Sequence, residues 1–280
     1  MEHTENRFVN HQGDSLYCQS WKNSDSPKAN ILIVHGLAEH SGRYEKIAHQ
    51  LVENGYAVFS YDQRGHGLTG GTRGYIKRFS DFTADLDAYV QLVNRQGNPT
   101  MMYIFGHSMG GTVTAVYAVT YRPNVAGFIL SSPLLKVGDS VSKATIRMGK
   151  FLARILPHAG VASIESSAIS RDAAVVMSYD ADDLVYHGKY SARLGAEMLA
   201  QLTTHLPPRL SEIDKPVLLI HGTGDRLANP EGSRLAYQNI GSKDKTLRLY
   251  PGFFHETFNE PDGIQVMEDI VFWLDSHSRT

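Results

Sequence analysis

The segment Gly106-His107-Ser108-Met109-Gly110 is where this chain most directly offers chemistry. A serine hydroxyl attacks a carbonyl usefully only when a base takes its proton and a carboxylate holds that base in one tautomer. Residues 101–111 read as a buried strand, a sharp turn and a helix running through Ala115, Val116 and Val119, the context that G-x-S-x-G requires. A serine at the tip of such a turn needs strained backbone angles, and Gly106 and Gly110 let adjoining segments approach without a Cβ clash. The turn leaves Oγ exposed at a helix N-terminus, where the Met109 amide faces a developing oxyanion.

The partners are expected in the order Ser, Asp, His. An apolar run at 217–220 leads into His221-Gly222-Thr223-Gly224-Asp225, and a strand at 246–250 leads into Pro251-Gly252-Phe253-Phe254-His255-Glu256. Asp225 and His255 thus both lie just beyond strand C-terminal ends, where catalytic groups gather in open α/β sheets. Asp225 has a competing structural role as cap of a helix starting near Pro230. Of thirteen histidines, His35 ends a strand, His66 sits in a glycine-rich loop where it would brace the site, His107 precedes the serine, and His277 lies in the tail. Only His255 combines the order with the strand-end position. The loop after the apolar run 31–34, His35-Gly36-Leu37-Ala38-Glu39, offers Leu37 as the second oxyanion N–H, each such donor contributing about 3 kcal/mol to the transition state.

Positioning these groups takes a scaffold. Short apolar runs at 31–34, 57–59, 103–105, 128–130 and 217–220 suit parallel strands buried on both faces. Helical patterns at 44–52 and 82–93 separate them, so the expected fold is α/β, a mostly parallel sheet with helices on both faces. After Ser131-Ser132-Pro133 roughly seventy residues pass before the next buried strand, too many for a loop. Apolar stripes there (Ile146, Met148, Phe151, Leu152, Ile155, Leu156, then Leu194, Met198, Leu199, Leu202) predict an inserted helical cap over 136–207, with the core formed by 1–135 and 208–280. The first stripe would line an acyl tunnel, or rest on the core as an ordinary amphipathic helix; exposed, Phe151 and Leu152 would settle on a micelle or membrane.

Composition narrows the function. Lys plus Arg number 27 against 29 Asp plus Glu, so the net charge of −2 gives no electrostatic case for nucleic acid. The single cysteine, Cys18, reads as a packing residue and is compatible with a reducing compartment. No secretory signal or spanning segment is read, so a cytoplasmic protein, peripheral to membranes at most, is expected. No H-E-x-x-H or Cys/His cluster appears, and a serine mechanism needs no metal or cofactor.

Several separate motifs in order resemble the monoacylglycerol lipase and lysophospholipase family of the α/β-hydrolases. They are His35-Gly36 with His40-Ser41-Gly42-Arg43-Tyr44, Asp62-Gln63-Arg64-Gly65-His66-Gly67, Gly106 to Gly111, His221-Gly222 with Asp225-Arg226, and Pro251-Gly252 with His255-Glu256. The resemblance implies Ser108, Asp225 and His255 as nucleophile, acid and base, oxyanion donors at Leu37 and Met109, a cap, no cofactor, and cleavage of single-chain acyl esters of glycerol. It also suggests Tyr179, in Tyr179-Asp180-Ala181-Asp182-Asp183-Leu184, as facing the glycerol head. Ala38 stands where the family usually has glycine and Asp183 where it has proline. Glu39 and Arg43 either pair and brace their loop or line the alcohol pocket. The expected function is hydrolysis of monoacylglycerols to glycerol and fatty acid through an acyl-enzyme. A general carboxylesterase, a lysophospholipase and a non-enzymatic ligand-binding scaffold stay open, as do the oligomeric state and chain-length preference.

Overall fold

A computed structural model describes residues 1–24, 26–95, 101–138 and 143–278, with the side chains of 143–146 and 150 excepted. Ten strands occur among them. They are β1 (Glu2–Val9), β2 (Ser15–Lys22), β3 (Asn30–Val34), β4 (Ala57–Tyr61), β5 (Met102–His107), β6 (Gly127–Ser131), β7 (Gly160–Ala162), β8 (Tyr190–Ser191), β9 (Val217–Gly222) and β10 (Lys245–Tyr250). Eight form one sheet in the order β1-β2-β4-β3-β5-β6-β9-β10, and the short β7 and β8 pair separately. From β4 to β10 every pairing is parallel, whereas β1–β2 and β2–β4 are antiparallel.

The two N-terminal strands were not anticipated from the sequence. β1 is exposed at all but Phe8 and so has no apolar run to announce it. It belongs to the sheet edge, where one neighbour and water satisfy the backbone.

The central strands formed where the apolar runs predicted them. In β3, Leu32 and Val34 point into one core with Leu86 and Val113, while Ile31 and Ile33 point into the other with Ile47, Leu51, Ile270 and Leu274. The first core lies under α2 (Phe79–Arg95) and α3 (Met109–Tyr121), the second under α1 (Glu45–Glu53) and α8 (Ile264–His277). All four β3 side chains are fully buried, each stabilising the fold by about 1.5–3 kcal/mol, and truncating Leu32 to alanine costs about 2–5 kcal/mol. Cys18 packs in the first core, and burial pushes its thiol up to about 11, so it behaves as the packing residue expected.

Between β6 and β9 lie α4 (Lys143–Ile155), α5 (Ala173–Asp180) and α6 (Ala192–Ala200), with no strand of the large sheet among the described residues. The two expected stripes behave differently. Leu194, Met198 and Leu202 on and after α6 are buried, whereas Met148, Phe151, Ile155 and Leu156 on and after α4 are exposed. The side chain of Ile146 lies outside the described residues. The helix α7 (Pro230–Asn239) follows β9, and its cap is Asn229, which accepts from the Glu231 amide, so Asp225 is not the residue capping it.

Candidate active site

Ser108 stands between β5 and α3 with φ +56° and ψ −119°, a left-handed conformation that costs about 1–3 kcal/mol and is held by its surroundings. The holding contacts are local. The Ser108 amide donates to Ser131 O at 3.0 Å, and the Ser108 carbonyl accepts from Gly111, Thr112 and Leu134. A Cβ on Gly106 would sit 2.4 Å from Thr114 Oγ1, and one on Gly110 would sit 2.1 Å from the Val34 carbonyl. Only glycine lets α3 approach β3 this closely, which sets Ser108 at the helix N-terminus beside the loop that carries Leu37.

His255 is buried, and its Nδ1 donates to Asp225 Oδ2 at 2.7 Å, leaving Nε2 as the free edge of the ring. Ser132, itself at φ +41°, donates to the His255 carbonyl at 2.6 Å and so ties the histidine loop to the end of β6. Asp225 accepts from the Leu227 and Ala228 amides at Oδ1 and from His221 Nε2 at Oδ2. Burial works against its charge, but facing His255 and these donors hold the carboxyl far below the usual carboxylate range. For His255 burial works to lower the pKa, and the Asp225 charge outweighs it, so the net shift is upward. The ring of His107 lies 4.7 Å from that of His255, and burial holds it well below the ordinary histidine value.

The loop bearing Leu37 is fastened from every side. The Gln63 amide donates to His35 Nε2 at 2.9 Å, which leaves His35 Nδ1–H to donate to Gly36 O, and Gln63 Nε2 donates to His35 O. Burial lowers His35 to about 4 and His66, whose ring packs 5.3 Å away, to about 3; both brace the loop as neutral rings. Glu39 Oε1 accepts from the Gly36 amide and from Tyr44 Oη, and Oε2 meets Arg43 at 2.8 Å. Arg43 also grips both oxygens of Glu256, at 2.6 and 3.0 Å, and lies 4.6 Å over the Tyr179 ring. Glu39 and Arg43 therefore pair, and both also border the cavity, so the two sequence readings coexist. Ala38 takes φ +69°, the conformation for which glycine is better suited. Its carbonyl accepts from the Tyr186 amide at 2.7 Å, and His40 Nε2 meets Asp182 Oδ2 at 2.8 Å, so the segment after Tyr179 is strapped to this loop; Asp183 is exposed.

Ser108, His255, Leu37, Met109, Glu39 and Tyr179 all border one cavity of about 570 Å³. Glu39, Arg43, Tyr179 and Glu256 form one polar cluster on its wall; Ile164, Leu194, Met198, Leu199 and Leu202 are among its apolar residues, and Lys136, Ser163 and Arg226 also line it. Met148 and Gly149 of the exposed α4 also reach it. Among the described residues no group of three or more His, Cys, Asp or Glu is placed to hold a metal. Sequence reasoning had named Glu256 and His221 only within motifs. Arg43 and Glu256 are 213 positions apart, so no local spacing could have paired them.

A serine on a strained strand-to-helix turn that shares a cavity with a carboxylate-held histidine, on a mostly parallel sheet, defines an α/β-hydrolase. The chain belongs to the serine aminopeptidase S33 family, whose sequence profile matches residues 25–262. It is 34% identical over 274 residues to the monoacylglycerol lipase of Mycolicibacterium smegmatis, covering 98% of both chains. It is 31% identical to the human monoglyceride lipase, covering 98% of this chain and 91% of that one. Among solved structures, the monoacylglycerol lipase of Paleococcus ferrophilus is 30% identical with a TM-score of 0.82, covering 99% and 100% of the two chains. A monoglyceride lipase from Saccharomyces cerevisiae in complex with a substrate analogue is 26% identical with a TM-score of 0.87, covering 99% and 96%.

Proposed function

We propose that this chain hydrolyses monoacylglycerols to glycerol and fatty acid. The observation that carries the reading is a cavity bordered by Ser108 and His255 whose walls combine the polar cluster of Glu39, Arg43, Tyr179 and Glu256 with a larger set of apolar side chains. In this reading His255 Nε2 takes the Ser108 proton as Oγ attacks the ester carbonyl, and Asp225 stabilises the imidazolium. The amides of Leu37 and Met109 receive the oxyanion. His255 then protonates the departing glycerol, and water repeats the sequence on the acyl-enzyme. The polar cluster suits a hydroxylated head: Glu39 Oε2 and Glu256 Oε1 each accept from Arg43 and keep a further lone pair to accept from a hydroxyl. Glu39 and Tyr179 are the side chains proposed to meet the glycerol hydroxyls.

The exposed face of α4 extends the reading to the lipid source. Met148, Phe151 and Ile155 recur at helical spacing on one side and are 67%, 64% and 55% exposed, next to the part of α4 that reaches the cavity. Such a face would lie on a lipid aggregate and draw the acyl chain from it. No helix among the described residues is long and apolar enough to cross a membrane.

The test is initial rates on a chain-length series of monoacylglycerols, matched p-nitrophenyl esters, a diacylglycerol and a lysophospholipid, wild type beside Ser108→Ala. Monoacylglycerols should lead and the variant should be inactive. Turnover of activated esters with failure on every glyceride would reassign the substrate. Phe151→Glu should slow emulsified long-chain substrate about tenfold and leave dissolved short esters unchanged; equal rates on both would remove the surface contact.

A further inference from the structure

His221, near the end of β9, is fully buried, lies four residues before Asp225 and does not border the cavity. Its Nε2 lies 3.0 Å from Asp225 Oδ2 and 3.1 Å from the Ala228 carbonyl, and its Nδ1 lies 2.7 Å from Ser233 Oγ on α7. A carboxylate and a carbonyl both accept, so Nε2 carries a proton whichever charge the ring holds, while Ser233 anchors the opposite edge. The oxygen it meets is the one that His255 Nδ1 reaches at 2.7 Å, so two histidines donate to a single Oδ2 while Oδ1 is taken by two backbone amides.

We infer that His221 is a positioning residue for the hydrolysis: its Nε2–H fixes the Asp225 carboxylate toward His255 and draws off part of the charge that makes His255 basic. A carboxylate with one oxygen pinned by its own turn and the other shared between two donors has little freedom to rotate away from the catalytic ring. A donor removed from Oδ2 leaves more negative charge facing the imidazolium, which raises the pH at which His255 loses its proton. This rests on the roles of Asp225 and His255 proposed above. The other charged or titratable groups that face the pair are His107 on β5, Glu39 and Arg43 ahead of α1, and Glu256 beside His255. They are unchanged in the variants below and cancel in the comparison.

The experiment is the pH profile of kcat/KM and kcat for wild type, His221→Leu, His221→Gln, Ser233→Ala and Asp225→Asn, with active sites counted by fluorophosphonate labelling. His221→Leu should move the acid limb up by about half a unit to one unit and lower kcat per labelled site about tenfold, with KM little changed because His221 is outside the cavity. His221→Gln places an amide N–H where Nε2–H was and should keep the wild-type limb. Ser233→Ala keeps the ring but frees its outer edge, and should shift the limb the same way by less, which preserves the test should His221→Leu not fold. An unmoved limb in both His221→Leu and Ser233→Ala, or an equal shift in His221→Gln, overturns the inference. Wild-type turnover in Asp225→Asn would overturn the triad assignment and this inference with it, whereas an inactive Asp225→Asn beside an unmoved limb in His221→Leu sinks the inference alone.

Discussion

Arg43 is the cation on which two buried carboxylates depend, and its removal gives a stability change with a definite sign against pH. Its side chain is 11% exposed, those of Glu39 and Glu256 are 5% and 3% exposed, and the three contacts span 2.6 to 3.0 Å. Replacing Arg43 by methionine keeps an unbranched stem of similar bulk, removes the guanidinium from over Tyr179, and leaves two uncompensated buried charges. Breaking a buried pair from one side costs about 3–5 kcal/mol. The variant can relieve this by protonating one carboxyl, whose folded-state pKa then rises above its unfolded value of about 4.3. Such a group contributes stability below the unfolded value and loses it as pH rises through the folded one, at about 1.4 kcal/mol per pH unit. The deficit of Arg43→Met relative to wild type should therefore be smallest near pH 5 and grow toward pH 8. Urea unfolding of both proteins at the two pH values measures it directly. Adding Glu39→Gln to the variant should recover stability at pH 8. A deficit below about 1 kcal/mol at pH 8, or one independent of pH, would refute the reasoning.

Three further outcomes follow from the same geometry. Because the Asp225 charge outweighs burial and raises His255, kcat/KM should fall on the acid side through a limb above about 6.5, and a limb below that value in a pH–rate profile would contradict the assignment of the base. Ala38→Gly should stabilise the fold by about 0.5–1 kcal/mol in chemical unfolding, since φ +69° strains alanine more than glycine loses in chain entropy; destabilisation would show that the Ala38 methyl contributes more by packing. Gly110→Ala should cut kcat about a hundredfold even where the protein folds, because the new Cβ would lie 2.1 Å from Val34 O and 2.5 Å from His35 O and must push the serine turn away from the Leu37 loop. Single-turnover rates near wild type would show that this spacing does not matter.

The sequence by itself determined the parts of this protein that are local. Continuous apolar runs marked β3 to β6 and β9 because a strand buried on both faces has no polar side to interrupt it. Gly106 and Gly110 marked the serine turn because no side chain fits there, and the strand ends marked Asp225 and His255 because chain order and turn chemistry are written in consecutive residues. The tertiary structure decided whatever depends on residues distant in the chain. β1 owes its place to a sheet edge rather than to hydrophobicity, so its composition was silent, and β2, which lies between β1 and β4 with Leu16, Cys18 and Trp21 buried, carries polar residues between them that break up any continuous apolar run. Arg43 finds Glu256, Ala38 finds Tyr186, and His40 finds Asp182 only once the sheet has brought these loops to one end. Even His221, four residues from Asp225, gains its meaning from the fold, because whether an imidazole faces a carboxylate or the core depends on the turn between them. Of two equally apolar stripes, one was buried and the other left to solvent; periodicity shows that a helix has an apolar face, and only packing shows what covers it.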